Sequence, residues 1–503
     1  MAQLDAKKNT SLWVDTAPET NYPPLEPGRH FDVAVLGGGI AGLTTAYLLE
    51  QQGAKVAVVE AGRVAAGVTA YTTAKVSSLH GTIYSTVERK FGEDGARTYG
   101  EANEAAKEWM GALVDELGIG CDWRRKPAFT YAEDESDVAK VEQEVAAAQR
   151  AGLPASYTED TDLPWPVEAA VRFENQAEFH PRRYLLAIAE QLTTVFEQTR
   201  AIAVSGGSPN RILTERGELT ADDVVVATHF PFLDRAGFFA RMHPERSYAL
   251  GLYVKGDAPQ GMYLSTESPS HTVRSHPTAN GELVIAGGES HKVGQADEAE
   301  RVQELEAWAR ARFDVRSIEY RWSTQDNMPV DSLPYVGRML PFQGGIWVAT
   351  GFLKWGLTNA TAAAMILADL IAGRKNPWAQ LFDATRVKPI ASASDFVKEN
   401  ANVGRHFVGD HLAPPEARSL DEVPRGEGRL VRQGARKVAA YRDEDGELHV
   451  VSAVCTHLGC QVSWNNAERS WDCPCHGSRF GVDGSVLQGP AVTGLEVEVE
   501  VED

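Results

Sequence analysis

The stretch Phe31-Asp-Val-Ala-Val-Leu36-Gly37-Gly38-Gly39-Ile40-Ala41-Gly42 decides the fold of the larger part of this chain. Its first six residues form a nearly continuous apolar run, which predicts a short strand buried on both faces. Three glycines follow at once, residues 43–51 carry a helical pattern, and a second strand over 55–59 ends on Glu60. Strand, glycine turn, helix, strand and acid in this order are the dinucleotide-binding arrangement. Gly37 permits the tight turn, Gly39 lets a pyrophosphate approach the backbone, and Gly42 lets helix and strand pack closely. The helix start at Ile40 and Ala41 faces the phosphates, and Glu60 is placed for ribose hydroxyls. A glycine triplet alone is weak evidence; between two strands it is strong. The expected fold class is α/β.

At 503 residues the chain is too long for one ordinary domain, so two or three are expected. Its 43% of hydrophobic residues suffices for sizeable cores and excludes a disordered chain. A formal charge of −21 argues against nucleic acid or an anionic membrane as partner and suits docking to a basic redox protein. The start, Met-Ala-Gln-Leu-Asp-Ala-Lys-Lys, lacks the apolar core of a secretory signal. Nor is there an apolar run of about 18 residues, so no membrane span and a cytoplasmic location are expected.

Near the other end stand Cys455-Thr-His457-Leu-Gly-Cys460 and Cys473-Pro-Cys475-His476. A Cys-x-His followed by a Cys-x-x-His is what a Rieske 2Fe-2S centre requires. Cys455 and Cys473 would hold one iron, His457 and His476 the other. Two Cys and two His also suit tetrahedral zinc. Zinc fingers, however, pair like with like, whereas each half-site here mixes the two types and carries a further Cys. The Rieske reading is therefore preferred, on an all-β C-terminal domain whose short strands over 428–433, 436–442 and 448–452 carry the two ligand loops. Of the five cysteines, only Cys121 lies elsewhere.

FAD is favoured over NAD by two further buried strands. One spans 221–228 and ends in the small residues Ala227 and Thr228; the other, over 344–352, leads into an Ala-rich helix reaching about residue 371. Around them lie Gly67-Val-Thr69-Ala-Tyr-Thr72-Thr73-Ala-Lys75-Val-Ser-Ser-Leu-His80-Gly81, Trp322-Ser-Thr-Gln325-Asp326 and Gly351-Phe-Leu-Lys354-Trp355-Gly356-Leu357-Thr358-Asn359. On these residues the chain resembles the D-amino-acid-oxidase/glycine-oxidase/sarcosine-oxidase superfamily of FAD-dependent oxidoreductases, in the subgroup with a C-terminal Rieske domain. The resemblance covers nearly the whole chain and is most specific at its two ends.

The resemblance implies a two-dinucleotide-fold FAD domain over 28–385 with an antiparallel-sheet substrate domain inserted, a linker over 386–417 and a Rieske domain over 418–503. It places Thr69, Thr73, Thr228, Gly351, Gly356, Leu357 and Thr358 at the FAD. It brings Lys75 and His80 to the reacting face, although each is equally read as an ordinary surface group. Lys354, at a helix start, needs an anion nearby, and reduced flavin would supply one. Tyr71 occupies a region where some relatives attach flavin covalently, so non-covalent FAD is expected. His180 and Arg182 either sit over the substrate pocket or cap a helix beginning near residue 184.

By resemblance to the Rieske proteins of respiratory and photosynthetic cytochrome complexes, Cys460 and Cys475 form a disulfide bracing the cluster loops; two reduced thiols are the alternative. Gly489-Pro490-Ala491 matches the proline loop over the cluster, and Ser478 a serine bonded to a bridging sulfide. Phe480 stands where high-potential relatives carry a Tyr, which implies a lower potential. His406 and His411 suggest the mononuclear iron site of Rieske oxygenases. That reading fails because no third ligand completes the triad; position 403 is Val.

Together these features point to a small-molecule dehydrogenase. An amine, amino acid or N-methyl compound would reduce FAD, and electrons would pass singly through the cluster to a carrier protein or other external acceptor. Two alternatives stand beside it: a reductase fed through the cluster by a ferredoxin-type partner, and a redox sensor or electron-transfer module without a dedicated substrate.

Overall fold

The computed structural model describes residues 6–498 apart from 234, 343, 387, 388 and 435, and the side chains of 389–395 lie outside the description. The apolar run becomes the strand His30–Leu36, central in an eight-stranded sheet. It pairs in parallel with Val56–Val59 on one side and Gly217–Val226 on the other, and Gly217–Val226 pairs in parallel with Ile346–Thr350. The helices Ile40–Gln51 and Gly356–Ile371 pack on this sheet and on each other. Gly42 makes that packing possible, because a Cβ there would lie 1.9 Å from the Gly37 carbonyl oxygen.

A nine-stranded sheet forms the second layer. Its strands include Met242–Val254, Gly281–Lys292 and Val315–Pro329, and the pairing is antiparallel except between Met262–Ser265 and Arg124–Ala132. The substrate sheet therefore draws on strands well before residue 240, including Lys75–Val76 and Ala169–Glu178. Arg124 and Arg125, within this sheet, are answered by Glu178, Glu282 and Glu108.

The bridge between the domains contains a helix, Pro389–Leu412. Asn400 donates to the Ala240 carbonyl at 2.9 Å, while Val403 packs against the C-terminal core. His406 is bonded to Asp410 at 2.9 Å and His411 to the Phe407 carbonyl at 2.7 Å, so both rings serve their own helix. Beyond it, two small antiparallel sheets build the C-terminal domain: Glu427–Gln433, Arg436–Arg442 and Leu448–Ser452, then Ser463–Asn465, Ser470–Asp472, Arg479–Phe480 and Val486–Gln488.

Candidate FAD and iron–sulfur sites

The two Cys-His loops close in the same way. The Cys455 amide donates to the Cys460 carbonyl at 2.8 Å and the Gly459 amide to the Cys455 carbonyl at 3.0 Å. In the second loop the Cys473 amide donates to the Ser478 carbonyl at 2.8 Å and the Gly477 amide to the Cys473 carbonyl at 3.0 Å. Gly459 and Gly477 turn each loop at φ of +80° and +75°, a region that a residue with a Cβ rarely enters. The outcome is a segregated ligand set. The Cys455 and Cys473 thiols lie within hydrogen-bonding reach of each other. The His457 and His476 rings stand 5.0 Å apart. A pair of adjacent thiols and a pair of adjacent imidazoles fit the two-and-two ligation of a Rieske cluster. Cys460 and Cys475 are joined by a disulfide beside them. Ser478 Oγ reaches Cys455 and accepts from the Ala491 amide at 3.0 Å, tying the proline loop to the cage.

The dinucleotide site opens into a cavity of about 2140 Å³, well beyond a single small-ligand pocket of roughly 300–1,000 Å³. Gly37, Gly39, Ile40, Ala41 and Glu60 line it from the first strand–turn–helix. Thr69, Thr73 and Thr228 line it from loops, and Gly356 and Leu357 from the second helix start. Gly39 caps the first helix with no side chain, and the Ile40 amide meets only the Thr69 hydroxyl, at 3.4 Å, so this helix start suits a phosphate. Glu60 accepts from the Gly38 and Gly62 amides, both at 2.7 Å, and burial raises its pKa. A helix start without a side-chain cap, a glycine cradle and a buried acid fit a bound FAD.

Three expected residues do not line the cavity. Gly42 acts behind it, through the packing already described. Gly351 packs on Pro329 and Met242 in a turn with φ of +75°. Thr358 Oγ donates inward to the Ser77 carbonyl at 3.0 Å. The long helix begins only at Gly356, because Gly351, Leu353 and Lys354 all adopt positive φ and hold the chain in a non-helical turn.

The residues expected at the reacting face divide. Lys75 lines the cavity, donates to Thr272 Oγ and lies 5.8 Å from the Trp355 ring centroid. Burial, with Arg274 adding to it, brings its pKa down to about 7. His80 does not line the cavity. It stacks behind Trp355 at 4.6 Å and bonds Tyr99 Oη and the Ser77 carbonyl, both at 2.6 Å. Burial holds its pKa near 3, so it is a neutral support for the tryptophan. Lys354 lines the cavity but finds its anion within the protein: Glu245 at 2.8 Å, with Ser290 Oγ at 2.7 Å. His180 caps the helix Pro181–Gln191, and Arg182 holds the carbonyls of Val14 and Ala17, so neither reaches the cavity.

Sequence reasoning missed an acidic pair. Glu245 and Asp326 face each other across neighbouring strands. Burial would raise Glu245, but His243 and Lys354 outweigh it and hold its pKa well below the carboxylate range. Asp326 lines the cavity, and burial pushes it up to about 6 against the pull of Lys354. Charged residues inside strands that otherwise read as buried were the available signal.

The C-terminal domain closes one side of the same cavity with Arg479 and the segment 486–492. Glu468 crosses the seam to Arg246, which is 2% exposed, and to Ser323, while Arg479 grips Glu468 and Asp472. Gln325 Nε donates to the Gly477 carbonyl at 2.9 Å, and a Cβ at Gly477 would lie 2.3 Å from that same Nε. The second cluster loop therefore rests directly on the substrate sheet.

This architecture defines an FAD- and 2Fe-2S-dependent oxidoreductase. The chain belongs to the FAD dependent oxidoreductase (DAO) family: the family model matches residues 32–370, and the Rieske [2Fe-2S] domain model matches 415–498. It is 38% identical over 494 residues to YhfW of Bacillus subtilis (strain 168), named as a Rieske 2Fe-2S iron-sulfur protein, with 97% of each chain covered. It is 23% identical to gamma-glutamylputrescine oxidoreductase of Escherichia coli (strain K12), over 70% of this chain and 85% of that one. Glycine oxidase from Geobacillus kaustophilus superposes with a TM-score of 0.60 at 17% identity, covering 72% of this chain and 100% of that one; the likeness is one of fold.

Proposed function

We propose that this protein oxidises the C–N bond of an amine, amino acid or N-methyl compound and delivers the electrons one at a time through its cluster to an external carrier. The observation that carries the reading is the shared cavity, whose walls hold the FAD cradle, Lys75 and Asp326 on one side and the cluster's proline loop on the other. The names of gamma-glutamylputrescine oxidoreductase and glycine oxidase support the substrate class. When bound, FAD supplies a two-electron acceptor and the cluster a one-electron relay.

The protein's own residues supply the rest. Lys75 Nζ, neutral above a pKa of about 7, accepts the proton of a substrate ammonium so that its nitrogen lone pair is free. Lys354, held by Glu245, draws on the Asp326 carboxyl in the wall, where Asp326 orients the substrate. Trp355, braced by His80, shapes the pocket beside Lys75. Residues 28–385 form the oxidoreductase unit in this reading, 386–417 the bridge and 418–503 the electron-transfer unit. The chain works in the cytoplasm; among the described residues no helix is long and apolar enough to cross a membrane.

The test is anaerobic titration of the holoenzyme with amines, N-methylated amines and amino acids, following flavin absorbance and the cluster's EPR signal. Bleaching by one class, with a reduced Rieske signal appearing, supports the reading. Bleaching by reduced ferredoxin alone reverses the current and sinks it.

A further inference from the structure

We infer that Phe230 is the coupling residue between FAD and the cluster, the side chain through which electrons leave the flavoprotein domain for the histidine-ligated iron. The inference deepens the dehydrogenase reading and rests on it.

The argument begins at the strand Gly217–Val226, whose C-terminal end opens on the cavity through Ala227 and Thr228. In an open α/β sheet this end is where a dinucleotide lies. The next residue, His229, turns sharply at φ of +66°, and Phe230 follows, lining the cavity yet only 2% exposed. Its ring centroid is 6.4 Å from that of His457 and 6.4 Å from that of His476, so one side chain touches both imidazoles. Phe239 adds a second ring, 5.9 Å from His476.

The turn is anchored on both sides. The Thr350 hydroxyl donates to the His229 carbonyl at 2.5 Å, and the Thr228 hydroxyl to the Phe230 carbonyl at 3.0 Å. His229 Nδ1 accepts from the side-chain amides of Asn327 at 3.3 Å and Gln488 at 3.4 Å; Gln488 belongs to the C-terminal domain. Electronic coupling decays steeply with distance and is better through packed atoms than across a gap. Phe230 is the packed path between the cofactor crevice and the histidine edge.

The electrons balance. A substrate gives FAD two electrons. One passes to the oxidised cluster, reducing its histidine-ligated iron from ferric to ferrous, and the external one-electron acceptor clears it before the second follows. The flavin protons are released to water.

The experiment uses full-length holoenzyme, photoreduced anaerobically by deazaflavin and EDTA in a laser flash, with FAD-free protein as the control for direct cluster reduction. Cluster reduction is read from its absorbance and by freeze-quench EPR. Phe230→Ala is expected to slow flavin-to-cluster transfer about tenfold, roughly 1.4 kcal/mol of barrier. The EPR line shape and FAD content should stay as in the wild type. Phe230→Leu, whose shorter side chain fills the apolar site but loses the ring contacts to His457 and His476, is expected to be slow as well, and Phe230→Tyr to restore the rate. If the alanine variant loses a cofactor, the leucine and tyrosine variants decide. Wild-type rates in Phe230→Leu, or in an intact Phe230→Ala, overturn the inference and leave the dehydrogenase reading standing. Absence of transfer in the wild type removes both.

Discussion

The crevice for FAD and the cage for the cluster are built of opposite materials. The crevice is mostly backbone: glycines, helix amides and small residues, made by leaving side chains out. The cage is made of side chains, two thiols and two imidazoles set on matched loops and braced by a disulfide. The first tolerates exchange of what lines it but no added bulk. The second tolerates no exchange of a ligand.

The largest effect should come from the cage. Cys455→Ser is expected to abolish the cluster's EPR signal completely while FAD absorbance persists, because the two sites share no ligand and no cluster ligand lines the FAD cavity. Loss of FAD as well would break the comparison. The converse test is Gly42→Val, which forces a side chain into the 1.9 Å gap at the Gly37 carbonyl. Overpacking against backbone should cost about 3 kcal/mol. A lowered thermal midpoint with FAD released and the cluster retained is the expected result.

A smaller effect concerns the crevice's one tuned side chain. The Lys75 pKa is brought down to about 7, so the neutral fraction, and with it the rate of substrate oxidation, should rise with pH through that value and level off. Lys75→Met should remove this limb and lower the plateau about 100-fold. Between pH 7 and about 10 the unfolded chain binds more protons at this lysine than the folded one. Its contribution to stability therefore rises with pH over that window, which urea titrations of wild type and variant would show. The smallest change sharpens the comparison: Phe480→Tyr restores a hydroxyl beside the cage and should raise the cluster potential in a redox titration, with the flavin potential unmoved.

The opposite construction also explains what was legible. A run such as Phe31 to Gly42, or Cys455 to His476, is local; its chemistry is complete within a few residues and needs no distant partner to be read. The errors lie where distant segments meet. His80 follows the cofactor loop closely enough to be placed at the reacting face. The turn at Leu353 and Lys354 puts Trp355 in front of it, and of its strained residues only Gly351 advertises the turn. The helix Pro389–Leu412 reads as a bridge with histidines, because its partners sit on two different domains and tertiary packing outweighs its own propensity. The roles of Asp326 and Phe230 went unread for the same reason. Each acquires its meaning from a neighbour far away in the chain.

The wall contributed by residues 486–492 ties cofactor binding to domain docking. With the C-terminal domain docked, the dinucleotide crevice is walled from that side, so FAD bound there lies against both domains. Whatever free energy the dinucleotide gains from the shared cavity then counts toward holding the two domains together, by an amount that grows with the logarithm of its concentration. FAD is mortar as well as reagent.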